Sequence, residues 1–435
     1  MMKNRLQHPL VAVAVVTLVT LPWVVADLTG TAESLGNVGT VAVSGLSVLG
    51  ASFLLAWGAE TAEKDVPRAF AIAVLAVLAV APEYAVDALY AWKAGQGEAG
   101  AANLAVANMT GANRILIGLG WSGIALFSIY RAKTSGDVAV EHNDGFLTDA
   151  VLLDRSIATE VFFLALATLW AFFVPLNGGI GALDLIILVG IYVVYIGIIV
   201  RGDPEEDEVH VGVPAYLQKT PATTRIPAVL LLFGYSGYLI FTAVEPFAHG
   251  LEEIGIAYGV PEFFMIQWVA PLASETPELI VTAYLVNKAR TTAAFNALIS
   301  SKLNQWTLLI GTLGVVYSIS LGQYGVLEFN SKQAAEIWIT AAQSFFALAV
   351  LINFRITMRE AVALLVLFVS QVVIEFLHIR GVIEFISTYD LLIVYTVVYM
   401  LIGGVVFLTK MDHVRTVGQL AKEDATGQTA VAESD

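Results

Sequence analysis

Long apolar segments separated by short polar ones dominate the pattern along this chain. A helix needs about 20 mostly apolar residues to cross roughly 30 Å of hydrocarbon, and the sequence holds twelve segments of about that length. They are 8–29, 37–58, 68–92, 102–129, 157–175, 181–200, 226–248, 261–287, 294–320, 334–353, 358–378 and 389–409. The first is interpreted as a retained helix, because it lacks a signal-peptide cleavage site. The pattern predicts an all-α, polytopic membrane protein with about twelve transmembrane helices.

The distribution of basic residues predicts how these helices are oriented. With the N-terminus placed in the cytoplasm, 17 of the 22 Lys and Arg residues lie in inner segments and three in outer loops, while Arg114 and Lys302 fall within spans. Inner loops of membrane proteins carry such an excess of Lys and Arg. The sequence therefore predicts a multi-pass protein of the cell membrane, surrounded by lipids, with both termini in the cytoplasm.

Composition narrows the functional classes. Hydrophobic residues make up 57% of the chain and charged residues 14%, against about 25% charged in soluble domains. A soluble enzyme and a disordered chain are both excluded by this balance. The absence of cysteine excludes disulfides and thiolate metal sites, and the net charge of −15 argues against nucleic acid as a partner. No cofactor is expected, and the oligomeric state is left open.

An internal repeat links the two halves of the chain. The sequence of residues 81–88, in the third span, resembles that of 276–283 in the eighth, at an offset of 195. Residues 107–114, in the fourth span, resemble 295–302 in the ninth, at an offset of 188. Each half thus has a Pro-Glu helix followed by an asparagine-bearing helix. Because the paired spans are predicted to run in opposite directions, the pattern is typical of an inverted-repeat transporter with a site near the membrane midplane.

The repeat also predicts the organisation of the chain. One extra helix precedes the first repeat, and one follows the second. The predicted segments are an N-terminal helix (1–36), a first membrane repeat (37–200), a cytoplasmic acidic loop (201–225), a second membrane repeat (226–378) and a C-terminal helix with an acidic tail (379–435).

The two Pro-Glu units carry the candidate chemistry. Glu83 and Glu278 occupy matching positions, each directly after a proline. A proline inside a helix removes backbone hydrogen bonds, so free carbonyls are expected near Leu78 and Ala273. Carboxylate and carbonyl oxygens are the ligands that a hard cation prefers. We therefore expect the two carboxylates to face one another at the centre of the protein and to form one cation site.

Further oxygen atoms are predicted to complete this site. Helical spacing places acidic and hydroxyl side chains on the same face as the two glutamates, and the following helices supply amide and hydroxyl oxygens. The additional candidate ligands are Asp87, Ser274, Glu275, Asn108, Asn113, Asn296, Ser300, Ser301 and Asn304. The alternative for each single asparagine is a hydrogen bond between helices.

In their order, duplication and inversion these motifs resemble the two alpha-repeats of the sodium/calcium exchanger superfamily. That family carries Gly-Thr-Ser-x-Pro-Glu and then Gly-Asn-x-x-Gly-Ser-Asn in each half, and the resemblance covers roughly 37–200 and 226–378. It implies a secondary-active antiporter that exchanges Ca²⁺, or another cation, for Na⁺ or H⁺ by alternating access. The chain departs from the family at Ala79-Val80, which replaces Thr-Ser, and at Leu116, which replaces an acidic or amide ligand.

Arg114 and Lys302 are a further departure, because the family has apolar residues at these equivalent positions. We expect both side chains to point inward, to compensate part of the negative charge of the site, and at least one to approach an acid of the Pro-Glu helices. The alternative is that they snorkel toward the lipid headgroups.

Other functions remain open at this stage. A membrane metalloprotease is disfavoured because the His-Glu-x-x-His motif is absent. A channel is disfavoured because deep charged sites bind ions too firmly for rapid conduction. A Na⁺/H⁺ antiporter on the same fold, or a membrane scaffold without transport activity, stays as an alternative.

Overall fold

The computed structural model describes residues 8–66, 81–135, 137–201 and 212–426, which are largely helical. The α-helices are α1 (Pro9–Leu28), α2 (Gly36–Ala62), α3 (Ala81–Gly95), α4 (Ala101–Ile115), α5 (Ser122–Ser135), α6 (Ala158–Ala171), α7 (Ala182–Asp184), α8 (Gly190–Arg201), α9 (Gly212–Leu217), α10 (Ala222–Tyr258), α11 (Glu262–Phe264), α12 (Ala270–Asn287), α13 (Thr291–Asn304), α14 (Ile310–Leu321), α15 (Ser331–Leu351), α16 (Met358–Ile379), α17 (Thr388–Thr409) and α18 (Val414–Thr426). The strands are β1 (Val140–Glu141), β2 (Ala150–Leu152), β3 (Gly179–Ile180), β4 (Leu327–Glu328) and β5 (Arg355–Thr357).

Within these described ranges, nine helical stretches are long and apolar enough to cross a membrane. They are Pro9–Thr29, Gly36–Ala62, Ala101–Lys133, Arg155–Asn177, Ala182–Arg201, Ala222–Tyr258, Ser331–Leu351, Met358–Ile379 and Thr388–Thr409. The other three predicted spans fall on α3, on α11 with α12, and on α13 with α14; residues 68–80 of the third span lie outside the described residues. The predicted fold class is confirmed, while the count of twelve stays a prediction.

The seventh span is longer than its hydropathy predicted. The sequence indicated 226–248, because His249, Glu252 and Glu253 end the apolar run, but α10 continues to Tyr258. Its 37 residues correspond to about 55 Å of helix at 1.5 Å per residue. Polar residues end a hydropathy window without ending the helix, so α10 exceeds the thickness of the hydrocarbon.

The chain divides into two compact units, and each contains helices from both halves of the sequence. The first unit comprises 1–89 and 203–277, and the second comprises 90–202 and 278–435. The repeats predicted from the sequence therefore do not coincide with the compact units.

Close helix packing characterises the first unit, where α2 packs along α10 and α1 packs on α2. At Gly50 of α2, an added Cβ atom would lie 2.4 Å from the Thr20 methyl group of α1, so only glycine allows this approach. The Thr20 hydroxyl is 2.7 Å from the Tyr235 hydroxyl, and the Trp23 indole donates to Thr242 at 3.0 Å. Small residues and hydrogen bonds of this kind are what hold helices together in lipid, where the hydrophobic effect between helices is lost.

In the second unit, α15 packs against α4, α6 and α17. Helix α16 packs against α5 and the segment before it, where a Cβ added at Gly118 would lie 2.2 Å from the Phe368 ring. The C-terminal helix α18 packs against α6 and α8, and the Thr159 hydroxyl donates to Asp424. For the segment that forms α18, the sequence predicted only an acidic tail. Residues 427–435 lie outside the described residues.

Two small sheets connect loops that are distant in sequence. One has the strand order β1-β2-β5, so residues 150–152 pair with the strand that precedes α16, and the other pairs β3 with β4. Both sheets are antiparallel. Strands of two or three residues give too short an alternation of polar and apolar positions to be recognised in a sequence.

An ion pair joins the end of α2 to the start of α10 in the first unit. The Arg225 guanidinium donates to both carboxylate oxygens of Asp65, at 2.6 and 2.5 Å. This bidentate contact lowers the pKa of Asp65 below its usual value of 3.8, against the opposing effect of burial. The acidic run at 203–208, which follows α8, lies outside the described residues.

Replacing Asp65 with Asn should lower the thermal stability of the protein at neutral pH but not in acid. The lowered pKa means that the Asp65–Arg225 pair stabilises the fold above the unfolded-state pKa of about 4, and that this contribution is lost as the pH falls through the still lower folded-state value. The difference in Tm between wild type and Asp65→Asn should therefore shrink as the pH falls below about 4. Thermal unfolding in detergent at a series of pH values measures it. The exposed Asp144 provides the control Asp144→Asn, and a difference that does not change with pH would contradict the prediction.

Candidate functional site

In the first half, the Pro-Glu helix buries two carboxylates on one face. Glu83 and Asp87 lie one helical turn apart on α3, and their side chains are 4% and 0% exposed. Burying charge in this way is costly unless a partner compensates it. Two buried acids on one turn of a helix within a predicted membrane span therefore indicate a candidate functional site. Leu78, near which a free carbonyl is expected from the sequence, lies outside the described residues, as do Ala79 and Val80.

In the second half, the corresponding helix α12 carries Ser274, Glu275 and Glu278. Ser274 and Glu275 are buried, and the Ser274 hydroxyl donates to the carbonyl of Pro271 at 3.3 Å. Glu278 is half-buried and accepts a hydrogen bond of 2.9 Å from the Ser301 hydroxyl. This hydrogen bond connects the second Pro-Glu helix to the asparagine-bearing helix α13.

In the first half, one of the two candidate asparagines, Asn113, already has hydrogen-bond partners within the protein. Asn108 and Asn113 on α4 are both buried. The amide nitrogen of Asn113 donates to the carbonyl of Met109 at 2.9 Å, and its amide oxygen accepts from the Lys302 ammonium at 3.0 Å. Asn113 therefore binds the protein's own ammonium group in this structure, whereas the sequence analysis assigned it to the transported cation.

The oxygen atoms of the second half lie along α13. The amide oxygen of Asn296 is buried and has no hydrogen-bond partner among the described residues, which is an arrangement that a bound cation would satisfy. Ser300 is in hydrogen-bond contact with the Tyr195 hydroxyl, which itself donates to Glu160 at 3.1 Å. Asn304 is buried one turn further along.

Both asparagine-bearing helices change to π-helical geometry at matching positions. The π-helical segments are Leu116–Trp121, directly after α4, and Gln305–Leu309, directly after α13. They start 189 residues apart, close to the repeat offset of 188. A π-helical turn breaks the regular i→i+4 pairing and is frequent at functional sites. The repeat thus extends from sequence motif to backbone geometry.

Arg114 and Lys302 are both buried, at 1% and 0% exposure, but their surroundings differ. The Arg114 guanidinium donates to Glu336 on α15 at 2.5 Å and to Gln371 on α16 at 3.2 Å, so the carboxylate it contacts does not belong to a Pro-Glu helix. Lys302 contacts Asn113, and the adjacent Ser301 contacts Glu278. The prediction that Lys302 approaches an acid of the Pro-Glu helices stays a prediction.

A second charged cluster, absent from the sequence analysis, surrounds Arg114 in the second unit. Lys332 lies 3.3 Å from Glu336 and 3.7 Å from Glu375, and Gln371 donates to Glu375 at 2.9 Å. Glu336 and Glu375 are fully buried. We name the five residues Arg114, Lys332, Glu336, Gln371 and Glu375 the outer ion cluster. Both glutamates lie within spans predicted from the sequence, so the rule that acids in spans have a function could have found them.

A family model described as sodium/calcium exchanger protein matches residues 36–201 and 228–377, which are the two halves that carry the Pro-Glu and asparagine helices. The chain belongs to the sodium/calcium exchanger family. This match confirms the predicted resemblance. The function of this family is cation antiport.

Among solved structures, the exchanger fold is matched over nearly the whole chain. The crystal structure of the H⁺/Ca²⁺ exchanger CAX has 40% sequence identity and a TM-score of 0.84, covering 95% of this chain and 97% of that one. The structure of native YfkE, with 14% identity and a TM-score of 0.56, covers 82% and 98% and shows the fold alone. A search of curated protein sequences finds no significant match.

Proposed function

We propose that this exchanger-family protein is a Ca²⁺/H⁺ antiporter. The observation that carries the proposal is the 40% identity, over 95% of the chain, to a protein described as an H⁺/Ca²⁺ exchanger. Identity of this extent favours the same transported ions over Na⁺-coupled exchange. It leaves Na⁺/H⁺ exchange and a scaffold without transport as the alternatives to be tested.

Glu83 and Glu278 are the residues that we assign to the transported ions. They are the repeat-related carboxylates, and both can bind either a cation or a proton. Asn296, whose amide oxygen is buried without a hydrogen-bond partner in the described part of the chain, supplies a neutral ligand, and Ser301 already contacts Glu278. Carboxylate and amide oxygens together form the coordination that Ca²⁺ prefers.

Exchange then follows from competition for the same oxygens. Carboxylates that bind Ca²⁺ repel one another when Ca²⁺ leaves, so at least one takes up a proton in the empty state. Protons and Ca²⁺ therefore cannot occupy these oxygens together, which couples the two fluxes without covalent chemistry. Alternating access of the two repeats would expose the site to each side of the membrane in turn.

The contacts of the basic residues bear on the net charge of the proposed site. Arg114 and Lys332 face Glu336 and Glu375 in the outer ion cluster, which thus contains two basic and two acidic residues. The contact that Arg114 makes with Glu336 is outside the Pro-Glu helices, and its compensation of the charge of the Pro-Glu acids stays a prediction. Lys302 is a basic group in contact with the candidate ligand Asn113, and its charge lowers the net negative charge there by one.

We further propose that the protein resides in the cell membrane with both termini in the cytoplasm. The support is the bias of Lys and Arg toward the segments that this orientation places inside. Labelling of single cysteines tests it cleanly, because the natural chain has no cysteine. A cysteine near residue 142, in the predicted inner loop, should react only after the membrane is permeabilised, whereas one near residue 98 should react in intact cells.

Purified protein in liposomes should accumulate Ca²⁺ when a pH gradient is imposed and should do so equally in Na⁺ and in choline medium. The reason is that protons alone displace Ca²⁺ in the proposed cycle. The measurement is uptake of radioactive Ca²⁺ with the pH gradient or the Na⁺ gradient as the only driving force. Uptake driven by Na⁺ alone would support the sodium-coupled alternative. The absence of Ca²⁺ flux under both gradients, with protein shown to be inserted and folded, would contradict the proposal.

A further inference from the structure

Lys302 is a fully buried lysine on α13, within a predicted membrane span, and cation-binding groups surround its ammonium. Its ammonium lies 3.0 Å from the amide oxygen of Asn113 and 3.3 Å from the main-chain oxygen of the same residue. It also lies 4.6 Å from the centre of the Trp306 ring. Two carbonyl oxygens and an indole face are attractive to any compact monovalent cation.

The backbone around Asn113 orients the two oxygen atoms that contact the Lys302 ammonium. The amide nitrogen of Asn113 is held by the carbonyl of Met109, which directs the amide oxygen of Asn113 to the ammonium. The π-helical segment Leu116–Trp121 begins three residues later, and π-helical turns displace the regular pairing of nearby carbonyls. The main-chain oxygen of Asn113 accepts from Lys302 at this boundary. The oxygens are thus fixed by the fold independently of the lysine.

The position also adjoins the proposed transport site. Ser301, the residue before Lys302, donates to Glu278 at 2.9 Å. Asn113 is itself an oxygen-bearing residue at the repeat position where the sequence predicts a ligand for a mobile cation. In the structure that ligand is taken by an ammonium that belongs to the chain.

We propose that the Lys302 ammonium is a tethered monovalent cation, which occupies a cation position formed by Asn113 and Trp306 and thereby excludes Na⁺ from transport. The inference deepens the proposed function and rests on it, since it explains why protons and not Na⁺ exchange for Ca²⁺. A Na⁺ ion about 4 Å from the fixed ammonium would be repelled strongly enough to weaken its binding by about three orders of magnitude at the effective dielectric constant of a protein. A lysine cannot leave with the transported ions, so the position never empties.

Two substitutions separate the charge of Lys302 from its hydrogen bond. Lys302→Gln keeps a donor for Asn113 but removes the charge, and Lys302→Ala removes both and opens space for a free cation. In choline medium both variants should lose at least about tenfold in pH-driven Ca²⁺ uptake. Na⁺ or methylammonium should restore uptake in Lys302→Ala, since either can occupy the vacated position.

Binding of radioactive Na⁺ to the purified protein gives a readout that does not depend on transport. The wild type should show none, and Lys302→Ala should bind Na⁺ in competition with methylammonium. Lys288→Ala is the matched control, because Lys288 also lies over an aromatic ring, that of Tyr284 at 5.4 Å, but is exposed. This variant should behave as wild type.

The outcomes distinguish this inference from the proposed function. Wild-type uptake by Lys302→Gln in choline medium would overturn the inference, because only the hydrogen bond would then matter. A folded Lys302→Ala that neither binds Na⁺ nor is restored by either cation would overturn it as well. Should Lys302→Ala fail to fold, Lys302→Gln alone decides. Failure of the wild type to couple Ca²⁺ to protons would instead overturn the proposed function, whatever the Na⁺-binding result.

Discussion

Replacing Glu83 or Glu278 with Gln should reduce Ca²⁺ transport by at least about a hundredfold, because Ca²⁺ affinity depends steeply on the number of charged ligands. Glutamine keeps the size of the side chain and one carbonyl oxygen but removes both the negative charge and the ability to exchange a proton. Each substitution therefore removes a ligand for Ca²⁺ and a carrier for H⁺ at once. Initial rates of Ca²⁺ uptake in proteoliposomes under a pH gradient measure the effect.

The chain offers a control for this substitution on the same continuous helical stretch. Glu262 is exposed at the start of α11, 16 residues before Glu278, and Glu262→Gln should transport at the wild-type rate. Elution as a single folded species should be the same for all variants. If Glu83→Gln and Glu278→Gln both transport as wild type does, these carboxylates are not the site, although the family assignment would stand.

Hydropathy and the repeat were sufficient to predict the fold class and the family. Apolar segments of about 20 residues are long-range signals that survive local exceptions, and a Pro-Glu unit that recurs with an asparagine helix is too specific to arise by composition. Helix ends were predicted less well. At α10 the polar residues Glu252 and Glu253 mask a helix that continues, since the hydropathy of a segment and its backbone conformation are separate properties.

The surroundings of the basic pair could not be predicted, because they depend on contacts between helices far apart in sequence. The symmetric positions of Arg114 and Lys302 suggested one shared role. In the structure, however, Arg114 donates to Glu336, 222 residues away, whereas Lys302 donates to Asn113, 189 residues away. Helical periodicity predicts which face of its own helix a side chain occupies. It does not state which neighbouring helix supplies the partner, and therefore equivalent positions in a repeat can acquire different functions.

The outer ion cluster should contribute more to stability than any exposed ion pair of the protein. Arg114→Met leaves Glu336 and Glu375 with Lys332 as the remaining cation of the cluster, and Glu336→Gln leaves Arg114 with a neutral amide. Removing one partner of a buried ion pair typically costs about 3–5 kcal/mol, because the remaining charge stays in a medium of low polarity. Each single variant should therefore unfold at a clearly lower temperature than wild type.

The double variant Arg114→Met/Glu336→Gln should be less destabilised than the sum of the two single effects, by at least about 1 kcal/mol. With both charges absent, Lys332 and Glu375 still form a balanced pair, so the double variant avoids the uncompensated charge that each single variant leaves. Denaturant unfolding in mixed micelles gives the free energies for this double-mutant cycle. The exposed pair of Arg355 and Glu141, 3.1 Å apart, serves as the matched control, and Arg355→Met should cost only about 0–1 kcal/mol. Equal costs for Arg114→Met and Arg355→Met would show that the interior around Arg114 is hydrated and that the cluster holds α4, α15 and α16 together no more firmly than a surface contact.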